Sequence, residues 1–232
     1  MSMENEMTER PKLILFDVYE TLLDMSDLER KVNSLLDSKR GFALWFELCM
    51  QYCFVENCTL HFNDFTSIAK ATLQMAGKTL GSNVSEAQAN DVLRLMLHLP
   101  VNDGVPAGLS LIADHGFRIA ALTNSSQKTV SDRMERTGLI SYFEMVLSAE
   151  HVKKYKPCKE VYEWAAKKLN LSPGEILLVS CHGWDIAGGA NAGMRTAYLE
   201  QKKQILYPLA PQPDLTCKNL DDLGTQLGNM KN

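Results

Sequence analysis

The stretch KLILFDVYETLLD, residues 12–24, decides the fold of this chain. Within it LILF is a short continuous apolar run, the pattern of a strand that is buried on both faces of a parallel sheet. The run ends at Asp17, and a buried carboxylate is unfavourable unless donors or a positive partner keep it ionised. Asp17 is therefore either a reactive group or an ordinary turn-forming residue, and this stretch alone leaves both interpretations open.

Three later apolar runs resemble the first. They end near Thr123 (RIAALTN), at Ser180 (EILLVS) and near Leu199 (RTAYL), and helix-like stretches at 127–137 and 160–169 lie between them. This alternation predicts an α/β fold, a doubly wound parallel sheet of the Rossmann-like type. Ligands of such sheets bind beyond the carboxyl ends of the strands, so the polar groups that follow these runs are candidates for a site.

A helical pattern interrupts the alternation after the first strand. Leu28 and Val32 begin a series of apolar residues at helical spacing, and no strand-like run occurs before about Pro100. We therefore predict a core domain of residues 10–24 and 101–232 and a helical cap domain of residues 25–100, which covers the site and excludes water from it. Within the cap we predict helices over 42–55, 62–76 and 85–97, a turn at GKTLGSN (77–83) and a return linker at VNDGVPAG (101–108).

Composition narrows the classes of partner. The 232 residues include 24 basic and 28 acidic side chains, mixed along the chain, so no basic stripe offers nucleic acid a docking surface. Apolar runs are too short to cross a membrane, and the start MSMENEMTERPK lacks the pattern of a secretory leader. We expect a cytoplasmic protein with a small-molecule substrate and with neither a nucleic-acid nor a membrane partner.

The six cysteines form no CxxC pair and no zinc-like spacing with histidine. Cys49 and Cys53 are four residues apart and would share one face of a helix. We predict that both are small core residues.

Two polar segments supply groups that could complement Asp17. ALTNSS places Thr123, Asn124 and Ser125 after the second run, where hydroxyl, amide and backbone donors suit an anionic substrate and equally suit a helix N-cap. In KKYKPCKEVYEWA, Lys156 precedes Pro157, and we place it at the first turn of a helix as the counter-ion of Asp17.

The last motif is EILLVSCHGWDIAGG. It places Asp185 five residues after Ser180, at a transition from a Gly-rich loop to a helix. Asp185 there orients a water or Lys156, or caps the helix, and the residues leave these roles open.

Together these segments resemble the haloacid dehalogenase superfamily, whose order is a nucleophilic Asp, a Ser or Thr, a Lys and a terminal acidic loop. The resemblance spans nearly the whole chain. Most members are phosphatases with a second Asp two residues after the nucleophile, which serves as general acid and helps to hold magnesium. Tyr19 occupies that position here, which disfavours phosphoryl transfer.

The Asp-x-Tyr motif is instead similar to the L-2-haloacid dehalogenases. The resemblance implies that Asp17 displaces halide from a short 2-haloalkanoic acid with inversion, and that water cleaves the resulting ester to a 2-hydroxy acid, as an (S)-2-haloacid dehalogenase does. It implies no metal and no organic cofactor, and it raises the expectation of a homodimer through the cap. The further positions that match this branch are Lys156, Tyr162, Ser180, His182, Trp184 and Asp185.

The resemblance also implies roles. Lys156 compensates charge, Asp185 positions water, and Thr21 and Ser180 complete the catalytic group. The implied contacts with the substrate or the nucleophile come from Tyr19, Thr21, Thr123, Asn124, Phe46, Phe62, Tyr162, His182 and Trp184.

Two positions depart from the dehalogenase pattern. Phe46 stands where that family has a halide-binding arginine, and Arg40 lies more than a helical turn earlier; loss of one such donor costs about 10²-fold or more in rate. Glu20 stands where the family usually has Gly, so glutamate is unfavourable if φ is positive there, and its charge would raise the pKa of Asp17. The alternatives are a phosphatase of the same superfamily, and a related hydrolase or binding protein with a non-halogenated ligand.

Overall fold

The computed structural model describes residues 10–201 and 204–230. Helices and strands alternate from residue 105 to residue 199, as the sequence predicts. The strands are β1 (Leu13–Phe16), β2 (Arg118–Thr123), β3 (Met145–Ser148), β4 (Ile176–Ser180), β5 (Arg195–Leu199) and β6 (Leu215–Cys217). The helices are α1 (Ser26–Leu35), α2 (Gly41–Thr59), α3 (Phe65–Thr79), α4 (Glu86–Met96), α5 (Val105–Asp114), α6 (Gln127–Arg136), α7 (Lys159–Lys168), α8 (Gly183–Asn191) and α9 (Leu220–Gly228).

The strands form one parallel sheet in the order β3-β2-β1-β4-β5-β6. The chain moves outward from β1 on one side and then returns to its other side, so β1 and β4 flank the switch in strand order. Phe16 pairs with Ala121 and with Val179 in this register. Asp17 therefore emerges where the crevice of a doubly wound sheet opens, and the predicted fold class is confirmed.

Strand β1 is buried on both faces because helices cover both sides of the sheet. Ile14 and Phe16 belong to one hydrophobic cluster, while Leu13 and Leu15 belong to the other, and all four side chains are fully buried. The continuous apolar run of this segment is thus the consequence of two-sided burial.

Helices α1 to α4 occupy the interval between β1 and β2. Helix α2 is the longest of them, and its Cys49 and Cys53 are buried core residues, as predicted. The domain boundaries given above stay a prediction. Across residues 10–201 and 204–230, no helix is both long and apolar enough to cross a membrane.

Several local predictions differ from the structure. The predicted turn at 77–83 is wrong at its start, because α3 continues to Thr79. Strands β3 and β6 were not predicted; both are short and partly exposed, and their longest apolar run is the three residues Met145, Val146 and Leu147. The predicted return linker is wrong in its second half, because α5 begins at Val105 with Pro106 in its first turn, a position where the missing N–H of proline is tolerated. Lys156 precedes its helix, since Cys158 is the N-cap residue of α7.

Candidate active site

Asp17, Lys156 and Asp185 form one buried charged group. The Lys156 Nζ donates to Asp17 Oδ1 at 2.7 Å and to Asp185 Oδ2 at 2.8 Å. At most 4% of any of the three residues is exposed to solvent. A single ammonium thus bridges two carboxylates that lie 168 positions apart in the chain.

The bridge keeps the nucleophile candidate ionised. Burial alone would raise the pKa of Asp17, but Lys156 foremost, with His182 and Thr21, outweighs burial and lowers this pKa below its ordinary value. Burial likewise opposes the charge of Lys156, yet Asp17 and Asp185 raise its pKa. Glu20 is not among the main groups that shift this pKa, and the balance of the other groups is a lowered pKa.

Thr21 fixes the second oxygen of Asp17. Its Oγ1 donates to Asp17 Oδ2 at 2.9 Å and accepts from the Cys181 backbone N–H at 3.2 Å. The Asp17 N–H in turn donates to the Val179 carbonyl at 2.9 Å, which continues the β1–β4 pairing. The carboxylate is consequently held by the ends of two strands.

Asn124 holds the backbone of Lys156. The Lys156 N–H donates to Asn124 Oδ1 at 2.8 Å, and Asn124 Nδ2 donates to the Lys156 carbonyl at 3.3 Å. Asn124 lies beside the cavity, but its amide groups serve Lys156 in this structure.

Tyr162 and Ser180 also lie behind the charged group. The Tyr162 hydroxyl donates to Asp185 Oδ1 at 2.6 Å, and burial foremost, with Asp185, raises its pKa well above the ordinary value. Ser180 Oγ accepts from the His182 N–H at 3.1 Å. A Cβ on Gly188 would lie 2.6 Å from the Tyr162 hydroxyl, so the Gly-rich sequence of α8 permits this close approach.

Asp185 lies in the first turn of α8, where the helix dipole favours a carboxylate. The N-cap residue is His182, so the interpretation of Asp185 as a helix cap is wrong.

His182 and Trp184 begin the opposite side of the site. Their rings stack with centroids 5.1 Å apart, and the His182 ring is tilted against Phe46 at 6.1 Å. The His182 Nε2 lies 3.2 Å from the Tyr19 carbonyl, which accepts from it, and 3.6 Å from both Asp17 Oδ2 and Glu20 Oε2.

Tyr19 joins the sheet to the inserted helices. Its ring stacks on Phe65 of α3 at 6.0 Å, and its hydroxyl lies 3.2 Å from Ser125 Oγ. The Arg133 guanidinium lies 4.7 Å above the same ring and donates to the Met96 carbonyl. Tyr19 thus occupies the place of a second carboxylate with an aromatic ring that packs against α3.

These groups enclose a cavity of about 20 Å³, room for about one water. A second cavity of about 430 Å³ adjoins it, and the two share Phe46, Met50, His182 and Trp184. These four side chains separate the nucleophile from the larger opening. The residues that line the small cavity are Asp17, Tyr19, Phe46, Met50, Phe65, Thr123, Asn124, Lys156, His182 and Trp184.

Some sequence predictions do not reach this cavity. Phe62 stacks on Tyr155 at 5.4 Å and is not among the residues of its wall. Arg40 is exposed at the start of α2. Sequence reasoning missed Met50 and Phe65, which reach the wall from α2 and α3. A helix residue that packs in the core produces the same sequence pattern, so no signal distinguishes them.

The donor set does not fit a magnesium ion. The Lys156 ammonium already bridges the two carboxylates, and Tyr19 supplies no carboxylate oxygen. In the part of the chain that the structure describes, no cluster of three or more His, Cys, Asp or Glu side chains is arranged to hold a metal. We derive no catalytic step through a metal.

Comparison with known proteins agrees with this geometry. The sequence matches the haloacid dehalogenase-like hydrolase family over residues 11–193. An (S)-2-haloacid dehalogenase of Pseudomonas sp. (strain YL) is 25% identical over 205 residues, 88% of each chain. Haloacetate dehalogenase H-2 of Moraxella sp. (strain B) is 24% identical over 210 residues, 90% of this chain and 94% of that one.

A solved structure shares the fold. The L-2-haloacid dehalogenase from Xanthobacter autotrophicus, with chloropropionic acid covalently bound, superposes with a TM-score of 0.84 at 21% identity. The likeness covers 95% of this chain and 100% of that chain.

Proposed function

The chain belongs to the haloacid dehalogenase-like hydrolase family, and from that premise we propose that it is a hydrolytic dehalogenase of short 2-haloalkanoic acids that forms an ester on Asp17. The observation that carries the proposal is the ionised Asp17 carboxylate, bridged by Lys156 and facing a small cavity. The relatives named (S)-2-haloacid dehalogenase support the choice of substrate.

The first step is displacement at carbon. An Asp17 carboxylate oxygen forms a bond to the carbon that carries the halogen, and the carbon–halogen bond breaks with its electron pair on the halide. Halide needs no proton to leave, so the reaction does not require the general acid that Tyr19 replaces. Thr123, which lines the cavity, contacts the substrate carboxylate in this proposal.

The second step is hydrolysis of the ester. Water adds to the carbonyl carbon of the Asp17 ester, and the bond from that carbon to the ester oxygen breaks. The product leaves as a 2-hydroxy acid that carries the former Asp17 oxygen, while one proton is released. Asp185 orients the water, with its own oxygens fixed by Lys156 and Tyr162. Lys156 compensates the charge that develops at the ester carbonyl, as a preorganised cation does in a water-poor site.

Two experiments test the proposal. Purified protein should release halide from L-2-chloropropionate without added metal. Failure to release halide from any member of a panel of 2-halo acids would overturn the proposal. A single turnover in H₂¹⁸O should place the heavy oxygen in the peptide that contains Asp17, because water attacks the enzyme ester. Label that appears in the product alone would instead mean direct attack of water on the substrate.

The same proposal includes a homodimer through the inserted helices and a division between a domain of residues 25–100 and the rest of the chain. Sedimentation of the purified protein tests the homodimer.

A further inference from the structure

The leaving-group end of the cavity needs a positive charge. A halide that departs from carbon acquires a full negative charge, and a water-poor site must stabilise it with fixed donors. Among the described residues that line the small cavity, the cationic candidates are Lys156 and His182. Lys156 is engaged by Asp17 and Asp185 on the nucleophile side. His182 lies farther from the nearest carboxylate oxygens, at 3.6 Å, with its Nε2 donating to the Tyr19 carbonyl at 3.2 Å, and is therefore the group to consider.

His182 lies between the nucleophile and the helix α2. Its Nε2 is 3.6 Å from Asp17 Oδ2 and 3.6 Å from Glu20 Oε2, and its ring contacts Phe46 on the α2 side. Only 2% of the residue is exposed. Aromatic rings at Phe46 and Trp184 flank the imidazole, an environment that favours a cation over their π faces.

We propose that His182 is the cation at the leaving-group end of this cavity and that Glu20 is the carboxylate that keeps it charged. The inference rests on the proposed dehalogenase function for its reaction. It assigns a joint purpose to Phe46 and Glu20, the two positions that depart from the dehalogenase pattern. The positive charge comes from the end of β4, while α2 contributes an aromatic ring.

The backbone of Glu20 supports this assignment. Its φ is +59°, a left-handed conformation that is unfavourable by about 1 kcal/mol for a residue with a Cβ. Glycine would relieve the strain, yet glutamate places its Oε2 near His182 and accepts there from Gln204 Nε2 at 2.9 Å. A strained residue with its carboxylate directed at a buried imidazole is typical of a functional site.

Most of the charged groups around His182 favour its protonated form. Burial opposes the charge of His182, but Cys181, Asp17 and Glu20 outweigh burial and raise its pKa to about 10. Lys156 is the opposing cation, and its Nζ lies 5.7 Å from the Trp184 ring. Glu29 and Glu47 line the adjoining cavity from α1 and α2. Asp17 and Glu20 therefore favour the protonated imidazole at neutral pH, and His182 loses its proton as pH rises through about 10.

The charge can be measured without turnover. In ¹⁵N-labelled protein, His182 is assigned among the five histidines by its loss in His182→Asn. Its imidazole should be protonated at pH 7.5, and Glu20→Gln should lower its pKa by about one unit or more. Glu47→Gln, which removes an exposed carboxylate of the adjoining cavity, is the matched control and should leave this pKa unchanged. A neutral His182 at pH 7.5 would overturn the proposal.

Bromide alone is the probe for the leaving-group position. Sodium bromide, against sodium acetate at equal ionic strength, should shift the His182 imidazole signals, and anomalous diffraction from a bromide-soaked crystal should place the ion beside His182. Bromide found instead at the buried guanidinium of Arg133, whose Nε and Nη1 have no hydrogen-bond partner among the described residues, would overturn it.

Kinetics then connects the charge to catalysis. His182→Asn should lower kcat for 2-chloropropionate by about 10²-fold, with a smaller loss for the iodo substrate, which is the better leaving group. Phe46→Arg in the His182→Asn background should recover about 10-fold or more, because it returns a cation to that end. An equal loss of kcat for all halogens, with no recovery when Phe46→Arg is added, would overturn the proposal. If the wild type releases no halide, the proposed function fails, while the imidazole charge and bromide binding still decide this inference.

Discussion

The two walls of the cavity around Asp17 have different chemistry. The wall from the sheet consists of charged and polar groups, and each oxygen of Asp17 and Asp185 has a partner: Lys156 and Thr21 for the first, Lys156 and Tyr162 for the second. The wall from the inserted helices consists of Phe46, Met50 and Phe65. Polar groups hold reacting atoms in place, whereas apolar side chains set the shape and exclude water.

Loss of a side chain should therefore have a different consequence on each wall. A change on the sheet wall leaves a buried charge without its partner, which affects both stability and chemistry. A change on the helical wall alters volume and contact, so substrate choice should change before the chemistry does. The following predictions test that division.

Asp17→Asn should have the largest effect. It removes the nucleophile, so halide release should fall at least about 10⁴-fold, as measured with a halide electrode. No alkylated peptide containing residue 17 should appear in a mass spectrum after incubation with substrate. Retention of more than a few per cent of the rate would mean that Asp17 does not attack carbon.

Lys156→Met should have the second largest effect. Asp17 and Asp185 would then lie buried without their shared cation, so halide release should be lost and the free energy of unfolding should fall by about 3–5 kcal/mol. Lys154→Met is the matched control. Its ammonium pairs with Glu160 at the surface, so urea denaturation should detect a change of about 1 kcal/mol or less. Similar losses in the free energy of unfolding for both variants would show that the buried bridge contributes no more than a surface ion pair.

Phe46→Ala should change specificity more than chemistry. The smaller side chain enlarges the passage between the two cavities, so kcat/KM for a bulkier 2-halo acid, relative to chloroacetate, should rise by about 10-fold. The rate of ester hydrolysis in a single turnover should stay within about threefold, because the sheet wall is untouched. A large loss in the rate of ester hydrolysis would show that Phe46 contributes to the chemistry as well as to specificity.

Asn57→Ala should have the smallest effect and tests the contact between the walls. From α2, Asn57 Nδ2 donates to the Tyr155 carbonyl at 2.9 Å and its Oδ1 accepts from the Tyr155 N–H at 2.8 Å, beside Lys156. Loss of both bonds should lower the free energy of unfolding by about 1–2 kcal/mol and raise KM more than it lowers kcat. Asn191→Ala, at the exposed end of α8, is the control and should change neither.

Much of the sheet wall was predictable. Asp17, Lys156 and Asp185 each follow a recognisable pattern in chain order, and parallel strands bring their carboxyl ends to one edge. The partners of these groups were harder to assign. Asn124 holds the backbone of Lys156 and Tyr162 holds Asp185, whereas the sequence suggested direct substrate contacts, because a polar residue near a strand end has the same pattern in either role.

The helical wall was less predictable, because helical periodicity identifies which residues face inward but not which of them reach a particular cavity. Met50 and Phe65 thus resembled ordinary core residues, and Phe62 was assigned to the site although it packs on Tyr155. The short strands β3 and β6 were missed because edge strands bury less surface, and their apolar runs are too short to stand out from those of helices.

By itself, the sequence determined the parallel sheet, the inserted helices and the chemical character of the group around Asp17, since each depends on local pattern and on the geometry of parallel strands. Only the tertiary structure decided that Glu20, Phe46 and His182 meet in the wall of the adjoining cavity. They come from three segments far apart in the chain, and the packing of α2 over the carboxyl ends of β1 and β4 brings them together. Distances across such a contact have no signature in residue spacing.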